Sequence, residues 1–343
     1  MLKGLTSRRE AVLKIIVSEY IDTAIPVASE TIFRNYKLGV SPATIRNDMA
    51  FLEDEGYIAR PHTSAGSIPL DRGYRHYVES LTKKPELSVQ EQDRIRKLFI
   101  EVEKEFEEWL KLAAVIAASL AKNAALVTLP KPRQCRFKHL ELVALQESMA
   151  LMVLVLSQAI LKRQLLSFTV PMTQERLATL SNKLNAVLAG LTSSEILARK
   201  PGLLSDEALV VDAVVNMMAA EDELEYEQPY LEGLRVMLGQ PEFAEKDRML
   251  GIMEFMETRD WLSLAFGRRS DDVGVQVVIG EENRNATLHD LSLVFSRYGI
   301  PDQIGGTIGI IGPTRMNYSR AISTVGYISR VLSDLVARVS HND

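Results

Sequence analysis

Near the start of the chain, apolar residues recur at a helical spacing. Ile45, Met49 and Leu52 lie at positions i, i+4 and i+7, which predicts a helix with one buried stripe. Ser41 can accept hydrogen bonds from the free amides of the first turn, and Pro42 suits the next position because an N–H there would have no partner. At 100° per residue, the face opposite the stripe carries Ala43, Asn47 and Ala50, flanked by Thr44 and Arg46.

This opposite face has the composition of a helix that reads DNA. Small residues such as Ala43 let a helix lie close to base edges, and a neighbouring amide and guanidinium can hydrogen-bond to those edges. We therefore expect Arg46 and Asn47 to read bases, while Thr44 and the Ser41 end of the helix bind phosphate. An ordinary amphipathic surface helix is the alternative interpretation of this segment alone.

The neighbouring segments favour a winged helix. Helical patterns over 8–22 and 27–36, followed by a turn containing Gly39, place two helices before the Ser41 helix, which makes a helix-turn-helix. Gly56 can supply the left-handed residue that ends the Ser41 helix. Residues 57–60 and 68–70 then resemble two short strands around a polar loop. A helix beginning at Asp71 is expected to pack back on this domain.

The polar loop between the two strands is the candidate wing. Its side chains, and the arginine before it, can donate to phosphate oxygens or reach a minor groove. The candidate wing residues are Arg60, His62, Thr63, Ser64 and Ser67. A plain turn is the alternative interpretation. Residues 1–80 contain ten Lys or Arg and ten Asp or Glu, so few phosphates can be neutralised and tight DNA binding would require a dimer.

Beyond a polar linker at 82–88, the pattern predicts an α+β arrangement. A long helix over 89–123 is followed by three strands of an antiparallel meander, two amphipathic helices, three further strands and a closing helix. The strands are expected at 137–145, 151–157 and 161–168, then 273–279, 291–295 and 306–311. The helices are expected at 173–191, 206–227 and 318–339. Strands, helices and strands in this order predict one α+β domain with a helical insertion.

Four motifs together resemble the HrcA family, the bacterial heat-inducible transcription repressors. They are Ser41-Pro-Ala-Thr-Ile-Arg-Asn-Asp-Met-Ala50, Pro61-His-Thr-Ser-Ala-Gly66, Ile68-Pro69 and Gly73-Tyr-Arg-His-Tyr-Val78. They lie in one register over residues 5–81. One departure concerns Ser67, where the family usually carries arginine, so a wing-arginine contact is not transferred to this position.

The resemblance implies a function, partners and domains. The implied protein is a dimeric repressor of chaperone operons such as groE and dnaK. It would bind an inverted-repeat operator, leave it on heat shock and be kept active by the GroE chaperonin. The implied domains are a winged helix at 1–84, a GAF-like domain in two parts at 88–170 and 251–343, and an inserted, mostly helical dimerisation domain at 171–250.

Composition sets further bounds. The chain has 343 residues, 46% of them hydrophobic, and a single cysteine, Cys135, which excludes an internal disulfide framework. Its longest apolar runs, 112–121 and 149–156, are shorter than the ~20 residues of a membrane helix, so we expect a soluble, cytoplasmic protein without a membrane partner.

Residues 200–260 contain fifteen Asp or Glu against five Lys or Arg. A solvated helix face or electrostatic separation from DNA would explain this excess.

No pattern predicts catalysis, a metal or a cofactor. The glycines at 305–312 match neither a dinucleotide-binding nor a P-loop spacing, and the histidines lack metal-ligand spacing. We therefore expect a protein that is not an enzyme. Two other functions stay open: a winged-helix regulator controlled by a small ligand in its GAF-like domain, and a protein-interaction module with a vestigial DNA reader. Six methionines lie between residues 217 and 256. They are interpreted either as core residues or as part of a surface that contacts a second copy or a chaperonin.

Overall fold

The computed structural model describes residues 5–62, 65–81, 85–102, 106–132, 134–157, 160–199, 205–223, 229–258, 261–266, 274–301 and 303–340. The helices are α1 (Ser7–Thr23), α2 (Ser29–Asn35), α3 (Pro42–Asp54), α4 (Asp71–Glu79), α5 (Val89–Glu101), α6 (Phe106–Ala121), α7 (Gln174–Leu188), α8 (Ser193–Arg199), α9 (Ser205–Glu223), α10 (Leu234–Leu238), α11 (Lys246–Glu257), α12 (Trp261–Phe266) and α13 (Tyr318–Ser340). The strands are β1 (Ile58–Ala59), β2 (Ile68–Pro69), β3 (Ala124–Val127), β4 (Lys131–Pro132), β5 (Phe137–Gln146), β6 (Met149–Leu156), β7 (Leu161–Ser167), β8 (Tyr230–Glu232), β9 (Val275–Ile279), β10 (Leu291–Ile300) and β11 (Ile304–Pro313).

The chain forms two compact units. The first contains residues 1–130, 226–300 and 305–343, and the second contains residues 131–225 and 301–304. The winged-helix segment and the C-terminal sheet therefore belong to one unit, while the three-strand meander and the helices that follow it form the other.

The winged helix is confirmed. Helices α1, α2 and α3 are followed by the antiparallel pair β1–β2 and by α4. Ser41 caps α3 by accepting a hydrogen bond from the Thr44 amide at 3.3 Å, and Gly56 has a φ of 72° just after the helix. The predicted stripe of Ile45, Met49 and Leu52 is buried. It lies in the core of this segment together with Leu13, Ile16, Ile32, Ile58 and Tyr74.

The rest of the first unit contains a β-sheet that is covered on both faces, and its β9–β10, β3–β11 and β3–β8 pairs are antiparallel. Its strand order is β8-β3-β11-β10-β9. Leu291, Leu293 and Phe295 of β10 pack against an apolar cluster from residues 237–262 that includes Phe243 and Phe255. The alternate residues of β10 face α13, where the Ser292 and Tyr318 hydroxyls are hydrogen-bonded at 2.8 Å. Both faces of β10 are therefore buried over residues 291–296, which explains why Leu293, Val294 and Phe295 form an uninterrupted apolar run.

The second unit is a three-stranded antiparallel sheet, β5-β6-β7, with helices on one face. Alternate residues of β6 are buried against α7 and α9 in one apolar core. Two acidic residues of the region 200–260 lie inside this unit. Glu221 is buried beside Lys131, whose Nζ lies 2.5 Å from the carboxylate, and Glu207 is paired with Lys183 at 2.5 Å. The acidic excess is therefore not entirely a solvated helix face.

The structure differs from the sequence-based expectation at three places. The single helix expected over 89–123 is divided into α5 and α6, because Val102 adopts an extended conformation with a ψ of 135° that ends α5. The meander β5-β6-β7 does not join the sheet that contains β9, β10 and β11. The second unit accordingly spans 131–225, whereas the insertion was expected at 171–250. A period of two residues identifies the buried face of a strand but not the sheet to which the strand belongs.

The predicted strands and helices otherwise match in type. All six expected strands are present with ends within five residues of those expected, and α7, α9 and α13 occupy the expected helical segments. In the part of the chain that the structure describes, no helix combines the length and the apolar character needed to cross a membrane.

Candidate nucleic-acid interface

Helix α3 presents a small, polar surface opposite its buried stripe. Ala43, Arg46, Asn47 and Ala50 are exposed, as their positions on the helix predict. The two alanines leave the helix backbone accessible along this face. Arg46 and Asn47 lie on either side of them, and among the described residues neither side chain has a hydrogen-bond or ion-pair partner. This surface can approach another molecule closely and offer amide and guanidinium hydrogen bonds.

The first turn of α3 adds two hydroxyl groups. Ser41 is exposed and Thr44 is partly exposed, and their side-chain oxygens lie 3.0 Å apart in a hydrogen bond. Both groups stand beside the free backbone amides at the start of the helix, where the helix dipole favours anions. The sequence predicted that these two residues lie at the same end of the helix, and in the structure their hydroxyl groups are hydrogen-bonded to each other.

A buried carboxylate on α3 is a feature that the sequence-based analysis did not identify. Asp48 is 2% exposed and binds two arginines of α1. Arg8 donates through Nε to Asp48 Oδ2 at 2.6 Å and through a second nitrogen to Oδ1 at 3.1 Å, while Arg9 Nε lies 3.4 Å from Oδ1. The hydrogen bonds from Arg8 hold the pKa of the Asp48 carboxyl below its usual range. This cluster ties the orientation of α3 to α1.

One signal in the sequence could have indicated the Asp48 cluster. Asp48 lies three residues after Ile45 and four before Leu52, which places it on the inner side of the helix. A carboxylate at such a position needs a cationic partner. The sequence does not show which of the ten basic residues of this segment supplies it.

The wing is anchored close to the segment that precedes α2. Ser67 pairs with Val27 through two backbone hydrogen bonds of 2.9 Å, and its side chain is fully buried. A Cβ atom on Gly66 would lie 2.5 Å from the Pro26 carbonyl oxygen, so this position requires glycine. Ser67 is consequently part of the wing's anchor and does not present its hydroxyl to a ligand.

The other wing candidates have different surroundings. Arg60 is bound to Glu53 of α3 at 3.2 Å, so its charge is partly neutralised. His62 is exposed, and its carbonyl oxygen accepts a hydrogen bond from the Ala65 amide. Thr63 and Ser64, which the sequence predicted as wing contacts, lie outside the described residues.

The arginines of α4 are engaged within the protein. Arg72 donates to the Glu55 carbonyl oxygen, and its guanidinium lies 4.3 Å from the centre of the Tyr57 ring. Arg75 forms an ion pair with Glu282 of the C-terminal part of the same unit. These contacts of Arg72 and Arg75 therefore hold α4 in place.

No metal chemistry emerges from the described part of the chain. Within it, no group of three or more histidine, cysteine or acidic side chains is arranged to hold a metal ion. The Cys135 thiol is buried, and burial raises its pKa to about 12, so the thiolate is absent at neutral pH.

Comparisons with known proteins match two family models, one of which covers α3. Residues 107–322 match the family model described as HrcA protein C terminal domain, and residues 36–69 match one described as DeoR-like helix-turn-helix domain. A relative from Dehalococcoides mccartyi named heat-inducible transcription repressor HrcA is 47% identical over 98% of this chain and 97% of its own. A relative of the same name from Chloroflexus aggregans is 42% identical over 98% and 94%, respectively. A crystal structure of a hypothetical protein shares 25% identity, covers 98% of this chain and 99% of its own, and has a TM-score of 0.59.

Proposed function

This chain belongs to the HrcA family of heat-inducible transcription repressors, and we propose that it represses chaperone operons such as groE and dnaK by binding an inverted-repeat DNA operator as a dimer. The observation that supports the DNA contact most directly is the exposed face of α3. Two alanines, one arginine and one asparagine lie opposite a buried stripe on a capped helix within a helix-turn-helix. The family and this face indicate that the protein is a DNA-binding repressor and not an enzyme.

In the proposed complex, α3 lies in the major groove. Ala43 and Ala50 allow the helix to approach the base edges, Arg46 hydrogen-bonds a guanine and Asn47 an adenine. The hydroxyls of Ser41 and Thr44 bind phosphate at the start of the helix. Arg60, His62, Thr63 and Ser64 bind the flanking backbone, with Arg60 exchanging its contact to Glu53 for one to phosphate.

The proposed dimer uses the second unit, whose sheet has one apolar face without helices packed on it among the described residues. Val143, Leu151 and Leu165 form one cross-strand row on this face. The next row contains Glu141, Val153 and Arg163, in that order across the sheet.

The order of the charges favours a second copy as the occupant of this face. A two-fold axis parallel to the strands would place β5 of one copy opposite β7 of the other. Glu141 would then face Arg163 of the second copy, twice in the dimer, around a central pair of Val153 side chains. Such a dimer would contain two α3 helices, one for each half-site of an inverted repeat.

The resemblance to the family implies two further parts of the proposal, a GAF-like fold and a chaperonin partner. The sheet β8-β3-β11-β10-β9 with helices on both faces supports a GAF-like fold for the remainder of the first unit. The GroE chaperonin is proposed as the partner that keeps the repressor competent. Partial unfolding would expose the apolar strands β3 and β6, which are the type of surface a chaperonin binds.

Fluorescence anisotropy of the purified protein tests the proposal. One duplex carries the inverted repeat from upstream of a chaperone operon of the same genome, and a second carries the same bases scrambled. Each is titrated across a salt series, with and without added chaperonin. A preference of roughly 10³ or more for the repeat that survives rising salt supports a specific repressor. Equal, weak binding to both duplexes with chaperonin present would contradict it.

A further inference from the structure

The cluster of Arg8, Arg9 and Asp48 carries more positive charge than its carboxylate needs. One arginine neutralises one buried carboxylate, and Arg8 alone makes the bidentate contact. Arg9 adds a second guanidinium at 3.4 Å, which leaves the cluster with one net positive charge. The Arg8 and Arg9 side chains are 46% and 30% exposed, whereas Asp48 is inaccessible.

Both arginines retain hydrogen-bond donors. A guanidinium has five N–H groups, and Asp48 accepts two from Arg8 and one from Arg9. Among the described residues, no other acceptor contacts either guanidinium. Donors on partly exposed, fixed side chains are suited to bind a phosphate without a large loss of side-chain entropy.

The cluster lies beside the exposed face of α3. The Arg9 guanidinium lies 3.5 Å from the centre of the Phe51 ring. Phe51 follows Asn47 by four residues and is therefore its neighbour on the helix surface. Arg46 lies on the other side of the same face. The surface proposed to enter the groove is thus flanked by a guanidinium on each side.

We propose that Arg8 and Arg9 form a phosphate-binding site at the edge of the α3 surface and that Asp48 is the residue that positions them. The inference rests on the proposed DNA-binding function and extends it to helix α1. A helix with its side chains is about as wide as the major groove, so side chains on its flanks meet the phosphates that border the groove. Asp48 holds both guanidinium groups at that border before DNA arrives.

The salt dependence of DNA binding separates this role from a purely structural one. The variants are Arg9→Gln and the double variant Arg8→Gln/Asp48→Asn, which removes the buried charge together with its partner. The logarithm of the DNA-binding constant falls linearly with the logarithm of the salt concentration. Losing one phosphate contact makes this slope less steep by about 0.9. It also weakens binding to the repeat and to the scrambled duplex by the same factor. Arg96→Gln is the control, since Arg96 is an exposed arginine of α5.

Each outcome decides between the two roles. A reduced slope in both variants, an unchanged preference for the repeat and an unchanged slope in Arg96→Gln support the phosphate site. An unchanged slope in Arg9→Gln, with unaltered thermal unfolding, overturns it even if the affinity falls. Failure of the unsubstituted protein to prefer the repeat would instead contradict the proposed function, so the two failures are distinguishable.

Discussion

Arg75 of the winged helix forms an ion pair with Glu282, which lies 207 residues later in the chain. Its Nε donates to Glu282 Oε1 at 2.7 Å, and a second nitrogen donates to the Val277 carbonyl oxygen at 2.7 Å. Asp71 of the same helix accepts the Glu281 amide at 2.8 Å. Helix α4 is therefore joined to the C-terminal sheet by directional polar contacts, and this joint connects the candidate DNA surface to the rest of its unit.

The pair between Arg75 and Glu282 is expected to contribute to stability. Because both side chains are partly exposed, a double-mutant cycle with Arg75→Gln and Glu282→Gln should give a coupling of about 1 kcal/mol in the free energy of unfolding. The control is the pair Arg96–Asp93, whose side chains are well exposed and 3.9 Å apart. Its coupling should be near zero. Equal couplings in the two cycles would show that the first pair is only a surface contact.

Replacing Arg46 by Ala should weaken binding to the inverted repeat by about 1–3 kcal/mol and relax the base preference at one position of each half-site. The reason is the loss of a bidentate contact to a base edge. Anisotropy titrations on duplexes changed one base pair at a time measure both effects. Arg96→Ala serves as a control for the loss of a positive charge. An unchanged affinity would remove Arg46 from the base-reading role.

The Asp48 cluster predicts a pH dependence of stability. Arg8 depresses the pKa of Asp48 in the folded state, so the ionised carboxylate stabilises the fold at pH values above its unfolded pKa of about 4. That contribution is lost as the pH falls through the depressed pKa. Asp48→Asn should cost about 1–3 kcal/mol at pH 7 and progressively less below pH 4. Urea unfolding between pH 7 and pH 3 measures this difference, and a constant difference would contradict the prediction.

Replacing Gly66 or Gly251 by alanine should change the free energy of unfolding in opposite directions. At Gly66 the new Cβ would lie 2.5 Å from the Pro26 carbonyl oxygen, so the wing must move and about 1–3 kcal/mol of stability should be lost. At Gly251, within α11, no atom beyond the chain neighbours and the adjacent backbone of the helix lies within 4 Å of the new Cβ, and stability should rise by about 0.5–1 kcal/mol. Thermal unfolding of the two variants measures both changes. Equal shifts in the same direction would contradict the close approach at Gly66.

The apolar face of β5-β6-β7 predicts the oligomeric state. Leu165 lies on this face and is 57% exposed, so Leu165→Glu should convert the proposed dimer to a monomer by burying a charge at the interface. Leu197 of α8, in the same unit, is 53% exposed and lies off the sheet, which makes Leu197→Glu a matched control. Sedimentation velocity separates the outcomes. A dimer that persists in Leu165→Glu would place the interface elsewhere.

Local features of the candidate site could be predicted well. The Ser41 cap, the buried stripe from Ile45 to Leu52 and the left-handed Gly56 depend on residues within one or two helical turns of each other. The exposed positions of Arg46 and Asn47 follow from the same periodicity. The wing was also located correctly, but the burial of Ser67 was not foreseen, since it depends on pairing with Val27, forty residues earlier.

The sequence by itself determined the helices and strands, the helix-turn-helix and the family, because these depend on local spacing and contiguous motifs. Only the tertiary structure decided which distant groups meet. It placed Arg8 and Arg9 on Asp48 and Arg75 on Glu282, and it divided the strands among three separate sheets. The physical reason is that periodicity specifies the face of an element that is buried. The partner of that face depends on how the complementary surfaces of the whole chain pack together.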